Sequence, residues 1–331
     1  MKGRWLDSRG IYFRTNDFTA GRQTLVFIHG VSGSCSAWRA YESRFQQDFN
    51  VLMYDIRGHG RSIKYRWRAD YEMANFVDDL RTLLQHLAID SCVLVAHSFA
   101  TLIALEYLRT EQATVDGVVL VSPDFDVGRR WPARILRAVL DVASPLEHFP
   151  FHPRPGRHVD YSRYRDSGDW NLARMREDIA NTTWRIYWYC TKASYSVHAE
   201  PFLDEIRVPM LLVHGRKDTI FPVQNSIYMA TRIRGAELVV IDDADHIVVL
   251  NRPQAVTGAI ERFVRRLCDA ESSELSLLQR AQTPAAVEDR GDHRCGHDEL
   301  HGSHRHGHGL ECSSDAVAKR EQHPVLQKRD D

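Results

Sequence analysis

The chain has 331 residues and a formal net charge of −1, with 43% hydrophobic and 26% charged residues. That balance suits a folded enzyme-sized chain of one large domain or two modest ones, with ample core to fold without staples. It removes the electrostatic case for nucleic acid or an anionic membrane as partner, and no run reaches the ~18 apolar residues of a membrane span.

Met1 to Asp7 carries charge with no apolar stretch behind it, so no signal peptide is expected. The six cysteines (Cys35, Cys92, Cys190, Cys268, Cys295 and Cys312) lie far apart with no C-x-x-C pair. Reduced thiols and a cytoplasmic location follow as the simplest expectation. Residues 5–14, with a turn at Ser8-Arg9-Gly10, are expected to form an edge hairpin. Short apolar runs at 24–29, 51–54, 91–96, 116–121, 210–214 and 237–241 each end in a turn signal, the mark of buried parallel strands. Helical patterns fall between them at 38–48, 71–87, 100–110, 224–232 and 253–267. This alternation predicts an α/β fold, a mostly parallel doubly wound sheet covered on both faces.

The alternation stops between about 124 and 207, where helical stretches at 133–143 and 172–195 flank the proline-rich segment 149–156. Four of the seven tryptophans, Trp131, Trp170, Trp184 and Trp188, fall here, and the segment is expected to be an inserted helical cap. The core is then 1–123 with 208–270. Residues 271–331 contain no Phe, Trp or Tyr and carry 12 acidic against 8 basic residues. A stretch so poor in bulky apolar groups cannot offset the entropy of ordering, so a disordered C-terminal tail is expected, with a helical continuation near 275–280 as the exception.

The strongest local signal is Val95-Ala96-His97-Ser98-Phe99-Ala100. An apolar strand runs into a serine flanked by small residues, and a helix starts at once. A serine on so sharp a turn is lifted off the sheet, with the next N–H aimed where an oxyanion would form. The alternative is an ordinary serine at a helix N-cap. Serine is a poor nucleophile at neutral pH, so it needs a base in hydrogen-bond reach and an acid to fix that base's tautomer.

These motifs resemble the α/β-hydrolase superfamily over nearly all of 1–268, with alanines Ala96 and Ala100 where its elbow usually has glycines. His29-Gly30-Val31-Ser32-Gly33 resembles its oxyanion loop, and Asp55-Ile56-Arg57-Gly58-His59-Gly60-Arg61-Ser62 its D-x-R-G-x-G-x-S loop. The latter is assigned a structural role, with Asp55 fixing the turn. The resemblance implies Ser98, Asp218 and His246 as catalytic residues and the Val31 and Phe99 N–H groups as oxyanion donors. Asp124 stands as the alternative acid. His29, His59 and His97, also near strand ends, are read as structural.

The expected activity is that of a serine hydrolase cleaving a small-to-medium, largely apolar carboxylic ester through an acyl-enzyme, with no cofactor. The partner is a small-molecule ester or acyl substrate lying in an apolar pocket under the aromatic cap. Thioester, amide or C–C bond hydrolysis on the same triad, and a non-catalytic ligand sensor, remain alternatives. His297, His301, His304, His306 and His308 offer metal ligands as the alternative to the reading of a solvated tail.

Overall fold

A computed structural model describes residues 1–129 and 156–282, together with 134, 135, 138, 141 and 142. The expected tail histidines and most of the 133–143 and 149–156 stretches lie outside the described residues.

Among the described residues eight strands form one sheet: β1 (Lys2–Leu6), β2 (Ile11–Thr15), β3 (Thr24–Ile28), β4 (Asn50–Tyr54), β5 (Cys92–His97), β6 (Val115–Val121), β7 (Met210–Gly215) and β8 (Glu237–Ile241). Their order is β1-β2-β4-β3-β5-β6-β7-β8. The hairpin β1–β2 is antiparallel and pairs antiparallel with β4; every other pair is parallel. Strands β3, β4, β5 and β7 are buried along their whole length, because helices cover both faces.

Alternation along each strand divides the core into two layers. Val26, Ile28, Leu94 and Leu120 face α2 (Met73–His86) and α3 (Phe99–Glu111). Leu25, Phe27, Val95 and Val119 face α1 (Arg39–Phe45) and the C-terminal helix. From β3 the chain goes to β4 on one side, whereas β5 pairs with β3 on the other. In a doubly wound sheet this reversal opens a crevice at the carboxyl ends of the two strands. The loop after β3 and the turn after β5 meet there.

Between β6 and β7 the described residues include the helices α4 (Leu172–Thr182) and α5 (Trp184–Ser194), with short 3-10 turns, and hold no strand. The expected single helix over 172–195 is broken at Thr183, whose φ of 83° leaves the helical region. Its hydroxyl then accepts the Ile186 N–H and caps α5. Beyond α6 (Gln224–Arg232) and α7 (Val248–Asn251) the last helix, α8, spans Pro253–Gln282. It passes both the expected end at 267 and the boundary drawn at 270. Residues 271–282 contain Glu, Leu, Gln, Arg and Ala but no Gly or Pro, so nothing local stops the helix. No described helix is long and apolar enough to cross a membrane.

Candidate active site

Ser98 sits between β5 and α3 with φ 54° and ψ −121°, a region that costs a non-glycine residue conformational energy. The surroundings hold it there. Its N–H donates to the Val121 carbonyl at 3.0 Å, and its carbonyl accepts the N–H and hydroxyl of Thr101 at 2.9 and 2.6 Å. Ala96 and Ala100 are fully buried on either side. A larger side chain at either position would have to displace the packed strand or helix.

The Ser98 hydroxyl meets His246 Nε2 at 2.7 Å, and His246 Nδ1–H donates to Asp218 Oδ2 at 2.8 Å. Both contacts are within the reach that proton transfer requires. Asp218 lies in the loop after β7, where its other oxygen accepts the Ile220 and Phe221 N–H groups at 2.8 Å each. His214 Nε2 approaches Asp218 Oδ2 at 3.1 Å while also facing the Phe221 carbonyl at 3.0 Å. Burial opposes ionisation of Asp218, yet hydrogen bonds from His214 and His246 outweigh it and hold the carboxyl well below the usual range. The arrangement can take a proton from Ser98 and stabilise the imidazolium that results.

Asp124, the alternative acid, is placed differently. It is buried after β6, and its Oδ1 accepts the N–H groups of Phe125 and Asp126 at 2.7 and 3.0 Å. The carboxylate that meets the His246 ring is Asp218.

Gly30 packs against Ser98: a Cβ added there would lie 3.0 Å from the Ser98 Cβ and 3.2 Å from His97 Nδ1. A larger residue there would require its neighbours to give by a few tenths of an ångström. Val31 and Phe99 line the same cavity as Ser98 and His246. Phe99 opens α3, so its N–H belongs to the first-turn amides that lack an intrahelical acceptor.

The three other strand-end histidines support backbone. His97 Nε2–H donates to the His246 carbonyl at 2.9 Å, and His29 Nε2 accepts the Ile56 N–H at 3.1 Å. His59 Nδ1–H donates to the Arg57 carbonyl at 2.9 Å. Burial pushes His59 and His97 down to about 3, so both are neutral at neutral pH. Asp55 accepts the Cys35 and Arg61 N–H groups at 2.7 and 2.8 Å, which fixes its loop.

Cys35, Asp55 and His158 bring ligand-type atoms within 4.8 Å of one another and could hold a metal ion. In the structure His158 Nε2 contacts Asp55 Oδ2 at 2.8 Å, joining the inserted segment to the core. None of the three lines the cavity.

Two contributors were not singled out in the sequence. Asp169, in the segment before α4, accepts the His246 N–H at 2.8 Å with one oxygen and the Thr219 N–H and hydroxyl at 3.1 and 2.6 Å with the other. His214 is the second partner of Asp218. The cue for Asp169 was a turn cluster, Gly168-Asp169-Trp170-Asn171, interrupting an otherwise helical segment.

The cavity above Ser98 has a volume of about 680 Å³. Its walls are mostly apolar, with Leu102, Ile179, Trp184, Tyr187, Tyr195 and Phe221 among them.

A family model described as the alpha/beta hydrolase fold matches residues 23–253. The chain belongs to that family. It is 27% identical to human ABHD8 over 281 residues, covering 80% of this chain but only 60% of the relative's length. It is also 27% identical to the putative carbamate hydrolase RutD of Pseudomonas syringae over 252 residues, 74% of this chain and 95% of the relative. A solved carboxylesterase structure from Nitrososphaera gargenis superposes with a TM-score of 0.63 at 20% identity, covering 81% of this chain and 100% of the other.

Proposed function

We propose that the protein is a serine hydrolase that cleaves a small-to-medium, largely apolar carboxylic ester through an acyl-enzyme. The observation that carries this reading is the continuous contact from Ser98 through His246 to Asp218, 2.7 and 2.8 Å, at the wall of a mostly apolar cavity. Ser98 attacks the carbonyl carbon and His246 takes its proton. The tetrahedral oxyanion is held by the Val31 and Phe99 N–H groups. His246 then returns the proton to the leaving alcohol, and a water activated by the same imidazole releases the acid. Asp218 orients the ring throughout. The helical segment between β6 and β7, drawn at 124–207, acts as the cap that shields the acyl-enzyme, and no cofactor enters the cycle. The thiols of Cys35, Cys92 and Cys190, none in a disulfide, suit a reducing, cytoplasmic location.

The carboxylesterase and carbamate-hydrolase relatives favour acyl transfer to water as the reaction class. Turnover of p-nitrophenyl esters of rising chain length tests it. The expected result is burst kinetics with kcat/KM rising with chain length until the cavity is filled. Absence of turnover, with esters that bind and raise the melting temperature, would make the protein a ligand sensor instead.

A further inference from the structure

The cavity wall carries one polar cluster that the reaction does not use. From α4, Arg174 Nη1–H donates to Asp178 Oδ2 at 3.0 Å, and Arg174 Nη2–H donates to the Asp169 carbonyl at 2.7 Å. The Tyr161 hydroxyl donates to Asp178 Oδ1 at 2.8 Å. The side chains of Arg174 and Asp178 are only 11% and 7% exposed, yet Arg174, Asp178 and Tyr161 all line the cavity that contains Ser98.

A guanidinium offers five N–H groups; the two hydrogen bonds above use one on each Nη, which leaves a second N–H on each Nη of a residue that lines the cavity. Unspent donors beside a cavity favour a ligand that brings an oxygen, since a buried donor left unmatched is costly. The charge balance then selects which oxygen. Arg174 is the only Arg or Lys among the described lining residues, against the carboxylates Asp169 and Asp178. A carboxylate on the ligand would add a third negative charge near one cation, with little solvent to screen it. A carbonyl or ether oxygen meets the donors at no such cost.

We propose that the Arg174 end of the cavity is a subsite for a neutral hydrogen-bond-accepting oxygen, a carbonyl or ether, borne by the substrate apart from its scissile ester. The inference rests on the hydrolase reading for the word substrate, but the subsite itself is a binding property. Burial also holds Asp178 up at about 6, so its demand for Arg174 relaxes in mild acid.

The test uses the full chain carrying Ser98→Ala, so that intact esters bind without turnover. Dissociation constants are measured by calorimetry for straight-chain alkyl esters and their ketone analogues of equal length. The ketone sits in the acyl chain of one pair and in the alcohol of the other. The expected result is that one ketone binds roughly 10- to 100-fold more tightly than its alkyl counterpart. Adding Arg174→Met should bring that ratio close to one. Arg174→Lys, which cannot span both Asp178 and the ligand with one ammonium, should lower it in part. Ratios near one in both pairs with Arg174 in place would overturn the subsite, whether or not the Arg174 variants fold. A preference that survives Arg174→Met would also overturn it. Failure of the hydrolase reading looks different, since wild-type protein would then leave every ester intact while the binding ratio persists.

Discussion

Asp169 holds the main-chain N–H of His246 at 2.8 Å, from a segment 77 positions earlier in the chain. Through its second oxygen it also holds Thr219, the residue after Asp218. One carboxylate of the segment between β6 and β7 therefore ties together the loops that carry His246 and Asp218. Loss of that tie should act on rate. Asp169→Ala is expected to lower kcat by about 10- to 100-fold with a smaller change in KM, because misplacing a base by an ångström is costly. Asp169→Asn keeps one acceptor for His246 and should be milder. Steady-state kinetics check both, and an Asp169→Ala protein within twofold of wild type would dismiss the positioning role.

The acid assignment separates two carboxylates at the same sheet edge. Asp218→Asn should cost roughly 10³- to 10⁴-fold in kcat, since an amide can stabilise the wrong imidazole tautomer. Asp124→Asn should be mild, because Asp124 serves the N–H groups of Phe125 and Asp126. The reverse pattern would move the acid to the strand β6 loop.

Gly30→Ala probes the proposed oxyanion loop. The added methyl would lie 3.0 Å from Ser98 Cβ and 3.2 Å from His97 Nδ1, so loop or serine must shift. A loss of roughly 10²-fold or more in kcat is expected, comparable to removing an oxyanion donor. Activity near that of wild type, in a protein with unchanged melting temperature, would place the oxyanion elsewhere.

Acid stability follows from the buried histidines. His59 and His97 stand at about 3 when folded, against an unfolded value of about 6.5. As pH falls below about 6.5 the unfolded chain binds two protons that the folded chain refuses, so stability is complete above that pH and lost on the way down to about 3. Asp178 works the other way. Its folded value of about 6 lies above its unfolded one, so it contributes stability below about 4 that is lost as pH rises through 6. The net expectation between about pH 4 and 6 is a loss of stability on acidification, because the buried histidines, His29 among them, outweigh Asp178. Urea midpoints at a series of pH values measure it, and a flat or rising midpoint on acidification would be the contrary result.

The sheet and the relay were legible because both are written locally. Strand runs ending in Gly30, Asp55 and Ser98 mark their own turns, and chain order brings Ser98, Asp218 and His246 to one edge once the strands are parallel. What escaped depends on contacts between distant segments. Asp169 meets His246 only after the inserted segment folds back, and the break at Thr183 exists because its hydroxyl caps α5. Helical periodicity runs straight through that break, so no pattern over 172–195 announces it.

Covalent labelling tests the central claim most directly. The full chain is treated with a fluorophosphonate and its intact mass and labelled peptide are measured, beside the Ser98→Ala protein. The expected result is one phosphonyl group on wild type, located at Ser98 and lost with Ser98→Ala. An unlabelled wild-type protein, or a label that persists in Ser98→Ala, would contradict the serine mechanism.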